Sequence, residues 1–476
     1  MLAERVSFGA LAAERERDAL TSFFIESVAY RRLEGAKKII ALGNRGAGKT
    51  AVLSMIADEA RSKGSIVVEL APEDFAYELL TDTLSSEREG AWSKQGAYAA
   101  AWKYLLYILA MKAITRETPG LKTGASKRIF AYLRDHQANV DVNPLEALIS
   151  YLKRLEGVKV GGFEAAVKAR ELHRLYRLED IEGLLDDLDE LARQRPIILL
   201  VDELDRGWDA SEDAIAFVAG LFQAGTSIGV RTPHVRVVMS LRRELYENIP
   251  SLYEDAQKVR DTIEVIEWTP DRLLDLIARR IAVSLGDHAT PAHDLWEGIF
   301  GSRLGGRPSF DYLIDLTLLR PRELIQLCSQ IRDIAADRGE HIPVSESSVM
   351  TAQVIYSADR FTDLVAEYRF QFPGLASVIE TFRGRPRDVG RDALEFHCLR
   401  LALGELKVSP DAEWIGMMDS DQIIDVLWRV GFLLCDVSPS VDEVNYVGAH
   451  QVRTVNLHSV VHFRIHGMFA MYLNCN

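Results

Sequence analysis

Cysteine is scarce in this chain of 476 residues: Cys328, Cys398, Cys435 and Cys475 all fall in the last third, and none forms a Cys-x-x-Cys pair. That spacing excludes a disulfide-stapled scaffold and a zinc module built on cysteine pairs. Positive charge is also short, with 56 Lys and Arg against 70 Asp and Glu, a net charge of −14. A chain that coats nucleic acid non-specifically is excluded, because phosphate binding rests on clustered Lys and Arg. A nucleic-acid partner is therefore not favoured by charge, although a local basic groove stays open. The opening MLAERVSFGA has no basic region followed by an apolar one, so no signal peptide is expected. The most apolar helical stretch, 98–114, is interrupted by Lys103 and Lys112 and is too short to span a bilayer. Repeats and low-complexity tracts are missing too. The expectation is a cytoplasmic protein with no membrane partner.

What is present is ordinary globular composition, 48% hydrophobic and 26% charged, in a length suited to roughly two to four domains. Residues 1–36 read as helical and charged. KKIIALG then supplies a strand at 39–42 that ends on a glycine. Beyond Thr50, the residues Leu53, Ile56, Ala57 and Ala60 repeat with helical spacing, and Gly64 closes the helix. SIVVEL is a second strand. Such a strand–loop–helix–strand unit is the frame of a parallel sheet. Residues 72–195 read as a helical insertion between two sheet strands. RPIILLVDELD, HVRVVMSL and TIEVIEW give three further strands, and Thr269-Pro270 marks a helix start. Residues 292–359 read as helical. In the last part, DQIIDVLWRVGFLLCDV reads as a helix running into a strand and VHFRIH as the return strand of a hairpin, which together suggest a winged-helix module.

Two motifs carry chemistry. Gly43-Asn44-Arg45-Gly46-Ala47-Gly48-Lys49-Thr50 fits G-x-x-x-x-G-K-[ST] in full and runs on into Ala51. Its glycines let the backbone curl so that N–H groups point at phosphate oxygens, and the helix behind adds its positive end. Lys49 is expected to reach the β and γ phosphates, and the Thr50 hydroxyl to ligate magnesium. The apolar strand before the motif and the amphipathic helix after it argue against an unliganded glycine turn. The second motif is Asp202-Glu203, at the carboxyl end of the apolar strand IILLV, where ligands of open α/β sheets bind. Asp202 is placed to hold magnesium through water, and Glu203 to orient and deprotonate an attacking water. Asp205 is a further metal candidate or a partner for Arg206. The competing reading, a DELD cap on the next helix, loses weight beside an upstream phosphate loop.

Ser240 ends the strand VRVVMSL, where a hydroxyl can touch the γ-phosphate or the lytic water, with Arg242 and Arg243 just beyond. Arg260, after Lys258, is a candidate finger acting in trans from a neighbouring subunit. Arg320 and Arg322 open a helix that a lid motion can bring over the nucleotide. GNRGAGKT, ILLVDELD, VVMSLRREL and LLRPRELIQLC resemble the AAA+ and STAND branch of P-loop ATPases. That resemblance implies Lys49 and Thr50 as the Walker A residues, Asp202 and Glu203 as the Walker B pair, Ser240 as the first sensor and Arg322 as the second. FGALAAERE and FRIHGMF are similar to a little-characterised bacterial family of such ATPases whose members occur near antiviral or mobile-element genes.

The expected architecture is α/β: a parallel-sheet P-loop core at 1–290 with its helical insertion, a helical lid at 291–359, and a winged-helix-like domain at 360–476. The expected cofactors are ATP and magnesium, and the expected partner is a protein or further copies of the chain. The expected activity is that of a nucleotide-driven switch or motor that hydrolyses ATP. The alternatives are a DNA-handling ATPase and a scaffold that holds nucleotide without hydrolysing it. His458, His462 and His466 recur every fourth residue near Cys475, but the surrounding Val, Phe and Ile favour strand over a metal face. Trp92, Trp102 and the tyrosines of the insertion read as helix-packing core, and LEDIEGLLDDLDEL as a solvated amphipathic helix.

Overall fold

The structure, a computed structural model, describes residues 3–35, 38–71, 94–117, 124–136, 178–204, 208, 210–247, 249, 260–438, 445–452 and 454–475. Trp92, Asp205, Arg206, Lys258 and parts of the 72–195 insertion lie outside these residues. By contacts the chain divides into two units, one of Glu26–Asn44 and Gly48–Glu267, the other of Met1–Ile25, Arg45–Ala47 and Trp268–Asn476.

The first unit is built on a parallel sheet of five strands among the described residues: β1 (Ile40–Gly43), β2 (Ile66–Leu70), β3 (Ile197–Val201), β4 (Val235–Arg242) and β5 (Ile263–Val265). Their order is β2-β3-β4-β1-β5. β1 is buried along its whole length, as a central strand covered on both faces must be. The helix Lys49–Ser62 follows β1 and buries Leu53, Ile56, Ala57 and Ala60, the face read from the sequence, and Gly64 beyond it takes φ +79°. Helices flank the parallel sheet and the glycine-rich motif follows β1 directly, which is the α/β arrangement expected from the sequence.

The insertion joins β2 to β3, which are direct neighbours in the sheet. Its described parts are the helices Lys94–Arg116, Gly124–His136 and Leu178–Gln194. They share one apolar core with the sheet rather than forming a separate body. Trp102 sits edge-on to Phe217 at 5.0 Å between ring centroids. Helix Leu178–Gln194 buries Leu178, Ile181, Leu185 and Leu188, and its Asp187 takes a two-point bond from Arg128. Helix Glu212–Arg231 is long and apolar enough to cross a membrane, yet most of it is buried here, against Lys94–Arg116. At their crossing a Cβ on Gly220 would lie 2.7 Å from the Ala99 nitrogen and 2.7 Å from the Tyr98 Cβ. Gly220→Ala is therefore expected to destabilise by about 1–3 kcal/mol through overpacking, more than the ~1 kcal/mol that alanine gains in helix propensity. A urea midpoint at or above the wild-type value would refute the crossing.

In the second unit, helix Pro270–Leu285 begins with Thr269 accepting from the Arg272 N–H and ends on Gly286 at φ +69°. Its buried Arg280 ion-pairs with Glu16 at 3.1 Å and lies 4.1 Å from the centroid of the Phe23 ring, which fastens the N-terminal segment to this unit. A short hairpin, β6 (Arg303–Leu304) and β7 (Arg307–Pro308), interrupts the helices expected at 292–359. Helices Pro321–Asp337 and Glu346–Tyr368 follow. The second of these spans residues 359 and 360, and the contact division falls between Glu267 and Trp268. The last part holds helices Leu375–Glu380, Arg391–Ala402 and Ser420–Arg429 with a four-stranded antiparallel sheet. Its strands are β8 (Asp388–Gly390), β9 (Leu433–Asp436), β10 (Tyr446–Val447) and β11 (His462–Ile465), in the order β10-β9-β11-β8. The helix–strand run and the return strand read from the sequence are here helix Ser420–Arg429, β9 and β11. All four cysteines are buried and free.

Candidate functional site

Parallel strands carry all their carboxyl ends to one edge, and that edge collects the two motifs. The phosphate loop leaves β1 at Gly43, which pairs in register with Arg242 of β4. Val201 of β3 pairs with Met239 of β4, so Asp202 stands level with Ser240, itself paired with Ala41. The loop start and the acidic pair thus flank β4 on the same edge, roughly 10 Å apart at strand spacing.

Gly46 (φ +79°) and Gly48 (φ +92°) both take the left-handed conformation that side chains resist. A Cβ on Gly48 would meet nothing within 4 Å. Lys49 is almost fully buried, and its Nζ donates to the carbonyls of Gly43 and Asn44 at 3.0 Å each. The ammonium is therefore folded back along the loop, braced by the loop's own main chain. Thr50 and Ala51 occupy the first turn of helix Lys49–Ser62.

Across the edge, Asp202 Oδ1 accepts from the Ser240 hydroxyl and, at 2.8 Å, from the Glu203 N–H. Both bonds fall on one oxygen, Oδ1. The donor set, a Thr50 hydroxyl and an Asp202 carboxylate, is made of hard oxygens and fits magnesium. Glu203 has φ +57°, a strained value for a non-glycine residue of the kind that collects at functional sites. The next helix begins at Glu212 and is capped by Ser211, so Asp202 and Glu203 do not cap it.

The arginines separate. Arg242 is at the site edge and pairs with Glu244 at 3.7 Å, while Arg243 pairs with Glu267 at 2.8 Å. Arg260 is exposed and stands ahead of β5, at the opposite edge of the sheet, out of reach of its own chain's loop. In the second unit, Arg320 is buried between Glu367 (2.7 Å) and Glu323 (3.6 Å), a structural role rather than a sensing one. Arg322 Nε donates to the Leu11 carbonyl at 3.1 Å, and its main-chain N–H lies 3.4 Å from the Gly46 carbonyl. Arg45 is 4.0 Å from Asp363. Sequence reading missed Trp268, whose Nε1 donates to the Ala47 carbonyl at 2.9 Å. Its one available signal is a tryptophan between the last core strand and the Thr-Pro helix start. Of the histidine triplet, His462 lies exposed on β11 and His466 is buried as the cap of helix Gly467–Leu473. Among the described residues no group of three His, Cys, Asp or Glu is placed to hold a metal ion.

Residues 271–365 match the family model of a FunZ-associated C-terminal helical domain. The chain is 22% identical over 492 aligned positions to the "Putative transposon gamma-delta 80.3 kDa protein" of Escherichia coli (strain K12), covering 98% of this chain and 67% of that protein. A shorter match, 27% identical over 118 residues, covers 25% of this chain and 62% of the allergen Alt a 2 of Alternaria alternata. Among solved structures, the Aeropyrum pernix ORC2 protein in its ADPNP–ADP complexes aligns with a TM-score of 0.37 at 12% identity, over 98% of this chain and 95% of that one.

Proposed function

We propose that the chain is an ATPase of the AAA+/STAND type, binding ATP with magnesium at residues 43–51 and hydrolysing it to switch a protein partner or an assembly of its own copies. One observation carries this reading: the loop of Lys49 and the pair Asp202–Glu203 share the carboxyl edge of one sheet, with Ser240 between them. Lys49 and the loop N–H groups bind the phosphates, and Thr50 and Asp202 hold magnesium, which when bound neutralises charge on the β and γ oxygens. Glu203 takes the proton of the attacking water. Ser240 and Arg242 sense the γ-phosphate from β4, Arg322 senses it from the lid, and Arg260 acts on a neighbouring copy. The lid is the helical region at 291–359, and a winged-helix-like module at 360–476 follows it. A cytoplasmic setting tied to mobile elements or antiviral defence belongs to the same reading, and the name of the Escherichia coli relative supports the mobile-element part.

Duplex DNA is a poor partner for the terminal module. Arg391, Arg400, Arg429 and Arg464 are already ion-paired with Asp421, Glu405, Asp425 and Asp388. Self-neutralised arginines release few counterions from phosphate. No mobility shift on duplex DNA is expected even at low salt, and a salt-dependent shift would reverse that assignment. The whole reading is tested by titrating the purified chain with ATP, with and without magnesium, while following its mass in solution. Saturable, magnesium-dependent binding with a nucleotide-dependent change in mass is expected, and absence of saturable binding ends the proposal.

A further inference from the structure

The carbonyls of the phosphate loop carry an inference that rests on reading that loop as a nucleotide cradle. A loop that turns its N–H groups toward a ligand turns carbonyls away from it, and each of those needs a donor. Lys49 serves Gly43 and Asn44. The donors to Gly46 and Ala47 come from far along the chain: the Arg322 N–H toward Gly46 and the Trp268 indole to Ala47.

Both are donors that local structure leaves over. Arg322 is the second residue of helix Pro321–Asp337, where a main-chain N–H has no partner within its own helix. Gly46 supplies that partner, and the approach is close, since a Cβ on Gly46 would lie 3.0 Å from the Arg322 Cβ. Trp268 directly precedes the Thr269 cap of helix Pro270–Leu285. Arg45–Ala47 accordingly groups by contacts with Trp268–Asn476, apart from the strand before it and the helix after it.

We propose that Trp268 is a positioning residue for nucleotide: its indole N–H, with the helix-start N–H of Arg322, holds the Gly46 and Ala47 carbonyls outward and so keeps the neighbouring N–H groups turned in. ATP affinity is then set partly by the placement of two helix starts remote in sequence. A partner that shifts either start loosens the cradle without touching the nucleotide.

Trp268→Phe keeps the ring and removes the donor. In the full chain it is expected to weaken ATP binding about three- to tenfold, as loss of one hydrogen bond does, with the thermal midpoint nearly unchanged. Hydrogen exchange on the wild-type chain needs no variant. Addition of ATP and magnesium is expected to protect residues 43–50 together with 268–273 and 321–326. Binding by Trp268→Phe within twofold of wild type overturns the tether and leaves the nucleotide reading standing. So does protection confined to the loop in a chain that binds ATP, and this result decides the matter should the variant fail to fold. A wild-type chain that does not bind ATP overturns both readings.

Discussion

Lys49→Ala is expected to lower ATP affinity by about two orders of magnitude or more and to reduce turnover to background. Glu203→Gln is expected to bind ATP within about threefold of wild type and to turn it over roughly 10²–10³ times more slowly. The contrast follows from where each side chain acts. Lys49 Nζ braces the Gly43 and Asn44 carbonyls and, on the proposed reading, binds phosphate, so its removal takes away the brace and the cation together. Bonds to a charged group contribute about 1.5–3 kcal/mol each, and the loss of two from the ammonium to the β and γ phosphates would correspond to roughly 100-fold or more in affinity. Glu203 meets its neighbours differently. The bond to Asp202 uses the Glu203 main-chain N–H, which glutamine keeps, so the Asp202 carboxylate stays oriented while the proposed proton acceptor is lost. General-base removal costs about 10²–10⁴ in rate. Isothermal titration and phosphate release on the three proteins separate the two roles. Wild-type turnover in Glu203→Gln would remove the base assignment, and unchanged affinity in Lys49→Ala would remove the loop from the site.

The parts of the molecule legible in the sequence are those written in local patterns. The buried face Leu53, Ile56, Ala57 and Ala60 follows from a 3.6-residue period, and β1 and β3 follow from short apolar runs closed by Gly43 and Asp202. The cap at Thr269 with Pro270 behind it is likewise a matter of adjacent residues. Long-range pairing leaves no such trace. Nothing in SIVVEL or IILLV says that β2 and β3 are neighbours across more than a hundred residues, and only the shared apolar core of the intervening helices accounts for it. The continuation of helix Glu346–Tyr368 past residue 359 was hard to read for a related reason. Arg360 and Glu367 continue a helix whose buried face carries charge, held by Gln326, Asp363 and Arg320, so hydrophobic periodicity fades where the helix does not. Trp268 escaped notice because a lone indole has no period. Its role depends on a carbonyl 221 positions away.

Acid is expected to destabilise the unit that holds His397, His450 and His466. Burial drives His397 down to about 4, helped by Arg385 and Arg400. It drives His450, partly covered and facing Arg320, to about 3, and places His466, beside His450 and Arg387, well below its ordinary value. The neutral form of His466 is also fixed by bonding. Its Nδ1 accepts from the Met468 N–H at 3.1 Å, and its other nitrogen is left to donate to the Thr317 main chain, so an added proton would confront a donor. Each folded-state value lies below the unfolded value near 6.5, so the unfolded chain binds the extra protons. The stability these groups contribute is present above pH 6.5 and is lost as pH falls toward the folded values. From pH 7.5 to 5.5 the loss is about 1.4 kcal/mol for an imidazole whose folded value lies well below that window. Buried Glu323, whose value is raised by desolvation, acts with the opposite sign. Urea unfolding followed through Trp296, Trp414 and Trp428 at the two pH values measures the slope. His466→Asn, which keeps an acceptor for the Met468 N–H but cannot titrate, should remove about a third of it. A midpoint that does not move between pH 7.5 and 5.5 would mean that these rings are not buried as neutral bases.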